Sequence, residues 1–323
     1  MHQNKRKKEM KRQFRPKKSQ FRPGRSDRVG FAETHPDFIP GVHILLLTGH
    51  RNGEMLPIGS AVAVGQHIAA TAAHVIQEFY SELQEGEVIF TGKNRFLGML
   101  SALRNPKFNI TATLMDKQHP TGIHFVADMW NISLLSDIAI LQLHRDPDVP
   151  NFTFKIPPMN VCPPSIGSLI EAYGYAAGTD DDSSVVEAGF YATRGEVTDL
   201  LPDGRDQATL WFPVFQTSAH FAGGMSGGPV FNQQGELCGL VCYDAGDNMD
   251  DPDAAPISYA VMLYPLLACL VELSLPGEPP TTAYTIQDLC VRGIIAMRHS
   301  EEFEVGIDAN GWATEMKGPL MRS

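Results

Sequence analysis

The segment Gly223-Gly224-Met225-Ser226-Gly227-Gly228-Pro229-Val230 constrains this chain more than any other stretch of its 323 residues. It sets one serine on a turn made almost wholly of glycine. Glycine reaches backbone angles that a residue with a Cβ avoids. Such a turn also lets backbone N–H groups converge beside the serine. A serine hydroxyl alone is a poor nucleophile. It needs a base to take its proton and N–H donors for the oxyanion that forms on an attacked carbonyl. The turn therefore directs attention to whether a base, and a group to orient it, stand elsewhere in the chain.

The candidate base is His74, at the end of the small-residue run Ile68-Ala69-Ala70-Thr71-Ala72-Ala73. The candidate orienting acid is Asp137, which opens the apolar run Ile138-Ala139-Ile140-Leu141. A buried carboxylate is costly unless hydrogen-bonded, and an imidazolium partner is one good reason to keep it. The chain order is His, Asp, Ser. Taken singly, each motif has a plainer reading: an ordinary glycine turn, a core histidine, a strand-edge carboxylate.

Together, Thr71-Ala72-Ala73-His74, Ser136-Asp137-Ile138-Ala139-Ile140-Leu141 and Gly224-Met225-Ser226-Gly227-Gly228-Pro229 resemble the three catalytic signatures of the trypsin-like (chymotrypsin-fold) serine peptidases. The run from Val230 through Gly235 to Val241 resembles the strand, turn and strand that follow the nucleophile in bacterial members, the high-temperature-requirement proteases among them. The resemblance implies an all-β fold of two Greek-key, six-stranded barrels with a C-terminal helix. It implies Ser226 as nucleophile, His74 as general base and Asp137 as the group holding the imidazole. The N–H groups of Gly224 and Ser226 would form the oxyanion hole. The activity implied is serine endopeptidase action on protein or peptide substrates through an acyl-enzyme. The rival reading is a catalytically silent scaffold that keeps the fold for binding. No cofactor is expected and no metal, since neither an H-E-x-x-H pattern nor zinc-type cysteine spacing occurs.

Departures from the animal digestive pattern are informative. Met225 precedes the nucleophile where zymogen-activated members carry an aspartate, and methionine cannot pair with a new N-terminal amine. The resemblance places His220, six residues before Ser226, at the base of the primary pocket. Val241, Cys242 and Tyr243 would line one wall, and Ser258, Tyr259 and Ala260 another. With no aspartate at that base, a preference for Lys or Arg is not supported. His220 either favours acidic or polar side chains or points away.

Glycine and proline, at 29 and 23 residues, favour a strand-rich fold over a helical bundle. Alternation in Ser60–Val64 and in Asn109–Leu114 reads as strand. The proline-rich run Asp146–Pro164 reads as the crossing between barrels. The expected organisation is a basic, disordered tail over 1–29 and a protease domain over 30–273. The first barrel covers about 40–148 and the second about 160–273, with an extension over 274–323. The apolar run Ile257–Val271 falls short of the roughly 20 residues of a membrane span. Pro265 suits the first turn of a helix bearing Leu266, Leu267, Leu270 and Leu273.

Residues 1–28 carry 12 Lys and Arg against Glu9 and Asp27, a net of +10, while the whole chain is −11. A basic tail thus precedes a body of net −21. It suits nucleic acid or another polyanion, or an anionic membrane surface, with Phe14 and Phe21 as two stacking faces. The plainer options are a solvated tail or one folded back on the acidic body. It lacks the apolar core of a signal peptide. Five cysteines do not make an even disulfide set, so buried free thiols and a reducing, cytoplasmic location are expected.

Overall fold

The computed structural model describes residues 32–33, 42–51, 54–77, 109–115, 122–133, 135–145, 152–177, 188–245, 256–273, 282–308 and 313–319. The basic tail expected over 1–29, with its polyanion reading, lies outside the described residues.

The strands run β1 Ala32–Glu33, β2 Ile44–Arg51, β3 Glu54–Gly65, β4 Ile68–Ala72, β5 Asn109–Leu114, β6 Ile123–Ile132 and β7 Ile138–Arg145. Helix α1 (73–77) follows β4 directly. β2 to β7 close into an antiparallel barrel in the order β2-β3-β4-β7-β6-β5. The chain continues through β8 Met159–Asn160, β9 Leu169–Ala177, β10 Ala188–Leu201, β11 Val214–Thr217, β12 Pro229–Asn232, β13 Leu237–Asp244 and β14 Ser258–Met262. β9 to β14 repeat the same order, β9-β10-β11-β14-β13-β12, and close because β12 pairs with both β9 and β13. The double barrel expected from the sequence is therefore present.

The alternation of β3, β4 and β7 explains how the barrels join. Leu45, Leu47, Ala61, Ala63, Ala69, Ala139 and Leu141 fill the first barrel. Their neighbours Ile44, Val62, Val64, Ala70, Ile138 and Ile140 belong to the apolar cluster that includes the second barrel. A strand buried on both faces reads as a nearly continuous apolar run. That is the character of Ser60–Val64 and Ile138–Leu141. Small residues dominate β4, so the two barrels approach closely at the point where His74 emerges.

The contact between barrels is polar at its centre. A bulge in the β2–β3 ladder falls between Leu47, opposite Gly59, and Thr48, opposite Pro57. Proline has no N–H for the ladder, so it is at home at such an irregularity. Just beyond it, the Ser60 N–H donates to Ser226 O (2.8 Å) and the Ser60 hydroxyl donates to Gly224 O (3.2 Å). The same hydroxyl accepts from Tyr175 N–H (2.8 Å), and Ser60 O accepts from the Thr71 hydroxyl (2.7 Å). Ser60 is fully buried.

The end of the second barrel differs from expectation. Tyr264–Ala268 is one 3₁₀ turn with Pro265 in its first positions, and Cys269 is already extended. Leu270–Leu273 is then a strand, β15, paired with β16 (Thr282–Thr285). The leucines there do not form a helical stripe. Val271 is buried and Glu272 exposed, a period-2 pattern, and β16 supplies the ladder. The extension continues through α2 Ile286–Val291, β17 Met297–Arg298, a 3₁₀ turn Ser300–Glu302, β18 Glu304–Ile307 and β19 Ala313–Lys317. Thr285 and Asp288 cap α2 reciprocally. Tyr284, Ile286, Leu289, Met297, Phe303 and Met316 belong to the core of the second barrel. Among the described residues no helix is long and apolar enough to cross a membrane.

Ser60→Ala removes the acceptor of the buried Tyr175 N–H. A buried donor left unsatisfied costs about 1–3 kcal/mol. Urea denaturation is expected to show a loss of that size with the β-sheet circular dichroism unchanged.

Candidate active site

The β4–β7 ladder brings His74 and Asp137 together. Ala72 stands opposite Ile138, so the residues just beyond this pair meet. Ala73 N–H donates to Asp137 O (3.1 Å), and His74 N–H donates to Asp137 Oδ1 (2.7 Å). The imidazole Nδ1 lies 2.6 Å from Asp137 Oδ2. A carboxylate can only accept, so Nδ1 carries the proton and Nε2 holds the basic lone pair. Asp137 is 7% exposed and His74 29%, which leaves the imidazole reachable and its partner shielded.

Asp137 Oδ2 also accepts from the thiol of Cys242 at 3.2 Å. The carbonyl of the same Cys242 accepts a long bond, 3.5 Å, from the Ser226 hydroxyl. One residue of β13 thus touches both the acid and the serine. The resemblance sets Cys242 in a pocket wall, and the Asp137 contact is a further role for the same residue. Only strand pairing in the second barrel, followed by docking of the barrels, makes that contact visible.

The serine turn is held on every side. Met225 N–H donates to Ala222 O (3.1 Å), Gly227 N–H to Val241 O (2.8 Å) and Gly228 N–H to Met225 O (2.8 Å). Among the described residues the N–H groups of Gly224 and Ser226 have no backbone partner. Gly224 and Gly227 have φ of +94° and +81°. At Gly227 a Cβ would come within 2.1 Å of Thr71 Oγ1 and 2.3 Å of Ser60 O, so the turn seats flush against the first barrel. Met225 is fully buried and faces Gly174, where a Cβ would lie 2.9 Å from its Cα.

The predicted pocket residues fall in one region with unequal parts. Both the N–H and the C=O of Val241 bond the serine turn. Tyr243 is exposed, and its ring centroid lies 6.3 Å from that of Tyr259. Tyr259 is buried and donates to Gln216 Oε1 (3.2 Å). His220 Nδ1 stands 3.8 Å from Asp244 Oδ2, and Asp244 Oδ1 accepts from the Ser258 hydroxyl (3.2 Å). An acid therefore does reach His220, supplied by the end of β13 and not by the segment before the serine. Arg205, from the β10–β11 connection, has its guanidinium carbon 5.7 Å from the Tyr243 ring and 5.1 Å from the Tyr259 ring. It also pairs with Asp206. Neither Arg205 nor Asp244 carries a sequence signal, because both reach the site through loop and sheet geometry.

All five cysteines are free. Burial raises the thiol pKa of Cys238, Cys242 and Cys269, the last to about 12, and the Asp137 carboxylate raises Cys242 further.

The model of the trypsin-like peptidase domain matches residues 59–240, more than half of the chain and inclusive of His74, Asp137 and Ser226. The chain belongs to this family of serine peptidases. Among solved structures it is similar to Rv3671c from M. tuberculosis H37Rv, a serine-to-alanine mutant in an inactive form. The identity is 18%, with 72% of this chain and 89% of that chain covered and a TM-score of 0.40. It is also similar to the serine endoprotease from Yersinia pestis at 18% identity, covering 69% of this chain and 59% of that one, with a TM-score of 0.41. No curated protein matches.

The buried thiols have a consequence for pH. Unfolded thiols ionise near 9, the folded ones only above that value. Stability from this source is complete below pH 9. Above it the unfolded chain alone loses protons, so stability falls by up to about 1.4 kcal/mol per pH unit per thiol. Denaturant titrations from about pH 8 to about pH 10.5 should show the decline, reduced in Cys269→Ala.

Proposed function

We propose that this protein is a serine endopeptidase that works through an acyl-enzyme. The observation that carries the reading is the doubly bonded His74–Asp137 pair. Both carboxylate oxygens are engaged, one by the histidine N–H and one by its ring. Cys242 links that pair, through its thiol and its carbonyl, to a serine on a positive-φ glycine turn docked against the same barrel.

The Ser226 hydroxyl turns from Cys242 O to Nε2 of His74 when substrate enters. Nε2 takes its proton as Oγ bonds the scissile carbonyl carbon. The carbonyl π electrons move to oxygen, and the N–H groups of Gly224 and Ser226 receive that charge. Asp137 stabilises the imidazolium without itself taking the proton. As the tetrahedral centre collapses, His74 returns the proton to the leaving amine and the acyl group stays on Ser226. Water, deprotonated by His74, repeats the sequence and releases the acid. Met225 serves by burial: its side chain fixes the turn where an ion pair does so in zymogen-activated relatives.

The substrate pocket we infer is polar. Asp244 beside His220 disfavours an acidic side chain there, so we assign the preference to neutral polar or basic residues. Cleavage profiling on a peptide library with Ser226→Ala as blank tests this. Enrichment of Asp or Glu at the position before the cut would contradict it.

A fluorophosphonate probe tests the activity itself. Wild type is expected to be labelled at Ser226, with Ser226→Ala silent. His74→Ala should lose about 10⁴-fold or more in kcat. A folded wild type that takes no label and cleaves no library peptide leaves only the scaffold reading.

A further inference from the structure

Away from the active site, the parallel pairing of β17 with β8 assembles a second group of side chains. Met297 stands opposite Met159, and Arg298 opposite Asn160. Val161 N–H donates to Arg298 O (3.3 Å), which extends the ladder by one residue. The next residues on the two strands, Cys162 and His299, therefore emerge side by side. His299 adopts a left-handed conformation, φ 64° and ψ 12°, and opens the 3₁₀ turn Ser300–Glu302. In such a turn residues three apart stand above one another. That brings Glu302 Oε1 to 2.7 Å from His299 Nδ1. The Cys162 Sγ, a ring nitrogen of His299 and a carboxylate oxygen of Glu302 all lie within 4.8 Å of one another.

We infer that Cys162, His299 and Glu302 form a binding site for a divalent zinc-type cation. The donor set is one thiolate, one imidazole and one carboxylate. Zinc accepts all three kinds, at about 2.0–2.3 Å. Calcium and magnesium, which demand oxygen, are poorly served by it. A fourth position is left for water.

The frame around the site is tied by side-chain hydrogen bonds. Arg298 is engaged by the buried carboxylate of Glu236, which also accepts from Asn160 Nδ2 (3.1 Å) and Asn232 Nδ2 (2.9 Å). Arg298, which precedes His299 in the chain, is thereby occupied by its own partner. Asn160 Oδ1 accepts from Cys162 N–H (3.0 Å), and the Ser300 hydroxyl donates to Met297 O (3.0 Å). Gln287 of α2 donates to Phe303 O and so pins the far end of the turn. Zinc is bound by the thiolate form of Cys162, so binding releases one proton. Bound there, the metal clamps the C-terminal extension to the segment that enters the second barrel, remote in sequence from it. The inference is independent of catalysis at Ser226.

The test is cobalt(II) titration of the full chain after chelator treatment, followed by displacement with zinc(II). The expected result is one equivalent of cobalt with a thiolate-to-metal charge-transfer band, which zinc abolishes. Cys162→Ser should lose the band. His299→Gln and Glu302→Gln should each weaken binding by more than the roughly tenfold that a lost supporting hydrogen bond costs a metal site. His74→Ala should bind as wild type does, which separates this site from the His74, Asp137 and Cys242 group. No stoichiometric cobalt binding, a band that survives Cys162→Ser, or one lost in His74→Ala overturns the proposal. Mass-spectrometric mapping of iodoacetamide adducts on wild type gives a check that needs no variant. Zinc should protect Cys162, and equal alkylation with and without zinc overturns the proposal too.

Discussion

The structure turns on the seating of one serine turn against one strand of the other barrel. Ser60 accepts from Tyr175 in the second barrel and donates to Gly224 and Ser226 on the turn, while its own carbonyl is held by Thr71. Ser60, Thr71 and Tyr175 are buried and Gly224 and Ser226 partly so, and an unmade bond at a buried group would cost its full desolvation. The first barrel thus acts as a template for the turn in the second. Relative motion of the barrels would break several buried polar contacts at once. The position of Ser226 relative to His74 is therefore a property of the interface as a whole. Gly227 makes the same point sterically, since any side chain there would push the barrels apart.

How legible this was depends on how local each feature is. His74, Asp137 and Ser226 each sit in a short string whose residue types announce a turn or a strand edge. Both β4 and β7 read as strands, but their pairing, with Ala72 opposite Ile138, is supplied by barrel closure. The small-residue run of β4 is also readable, because close approach of two barrels leaves little room for side chains. The helix expected after Pro265 fails for a physical reason. Leucines at 266, 267, 270 and 273 satisfy a helical spacing, yet Val271 and Glu272 equally satisfy a strand, and the partner β16 decides the matter. Asp244 and Arg205 were illegible as site groups, and Cys242 as a partner of Asp137, because sheet closure, not local sequence, delivers those contacts. Cys162 and His299 meet only through a parallel ladder, which leaves no short-range signature in either segment.

Met225 and Cys242 show how the site is stabilised without extra charge. A turn held by a buried methionine has no titratable switch of its own, whereas an ion pair in that place would respond to pH and to processing of the chain. Cys242 places a weak, neutral donor on the Asp137 oxygen that also faces His74. Burial keeps that thiol protonated, so it donates without competing for the imidazole's charge. Both the thiol and the imidazole thus meet the same Asp137 oxygen, the ring at 2.6 Å and the sulfur at 3.2 Å.

The C-terminal extension belongs to the same mechanical unit. β13, which carries Cys242, pairs with β8, and β8 pairs with β17, so one sheet runs from the serine turn out to the extension. Glu236 stands in the β12–β13 turn and gathers Asn160, Asn232 and Arg298 around one buried carboxylate. Its charge is satisfied only when β8, the turn and β17 are all in place, and those bonds hold its pKa below the usual range. Phe303 stacks on Tyr264 at 5.2 Å and so ties the extension to the turn that ends the barrel. A chain cut before β17 would leave Glu236 short of its cation and a fully buried Tyr264 face open to water. The buried carboxylate makes the extension a cooperative part of the barrel, because removing one partner of a buried charge costs more than the pair contributes by forming.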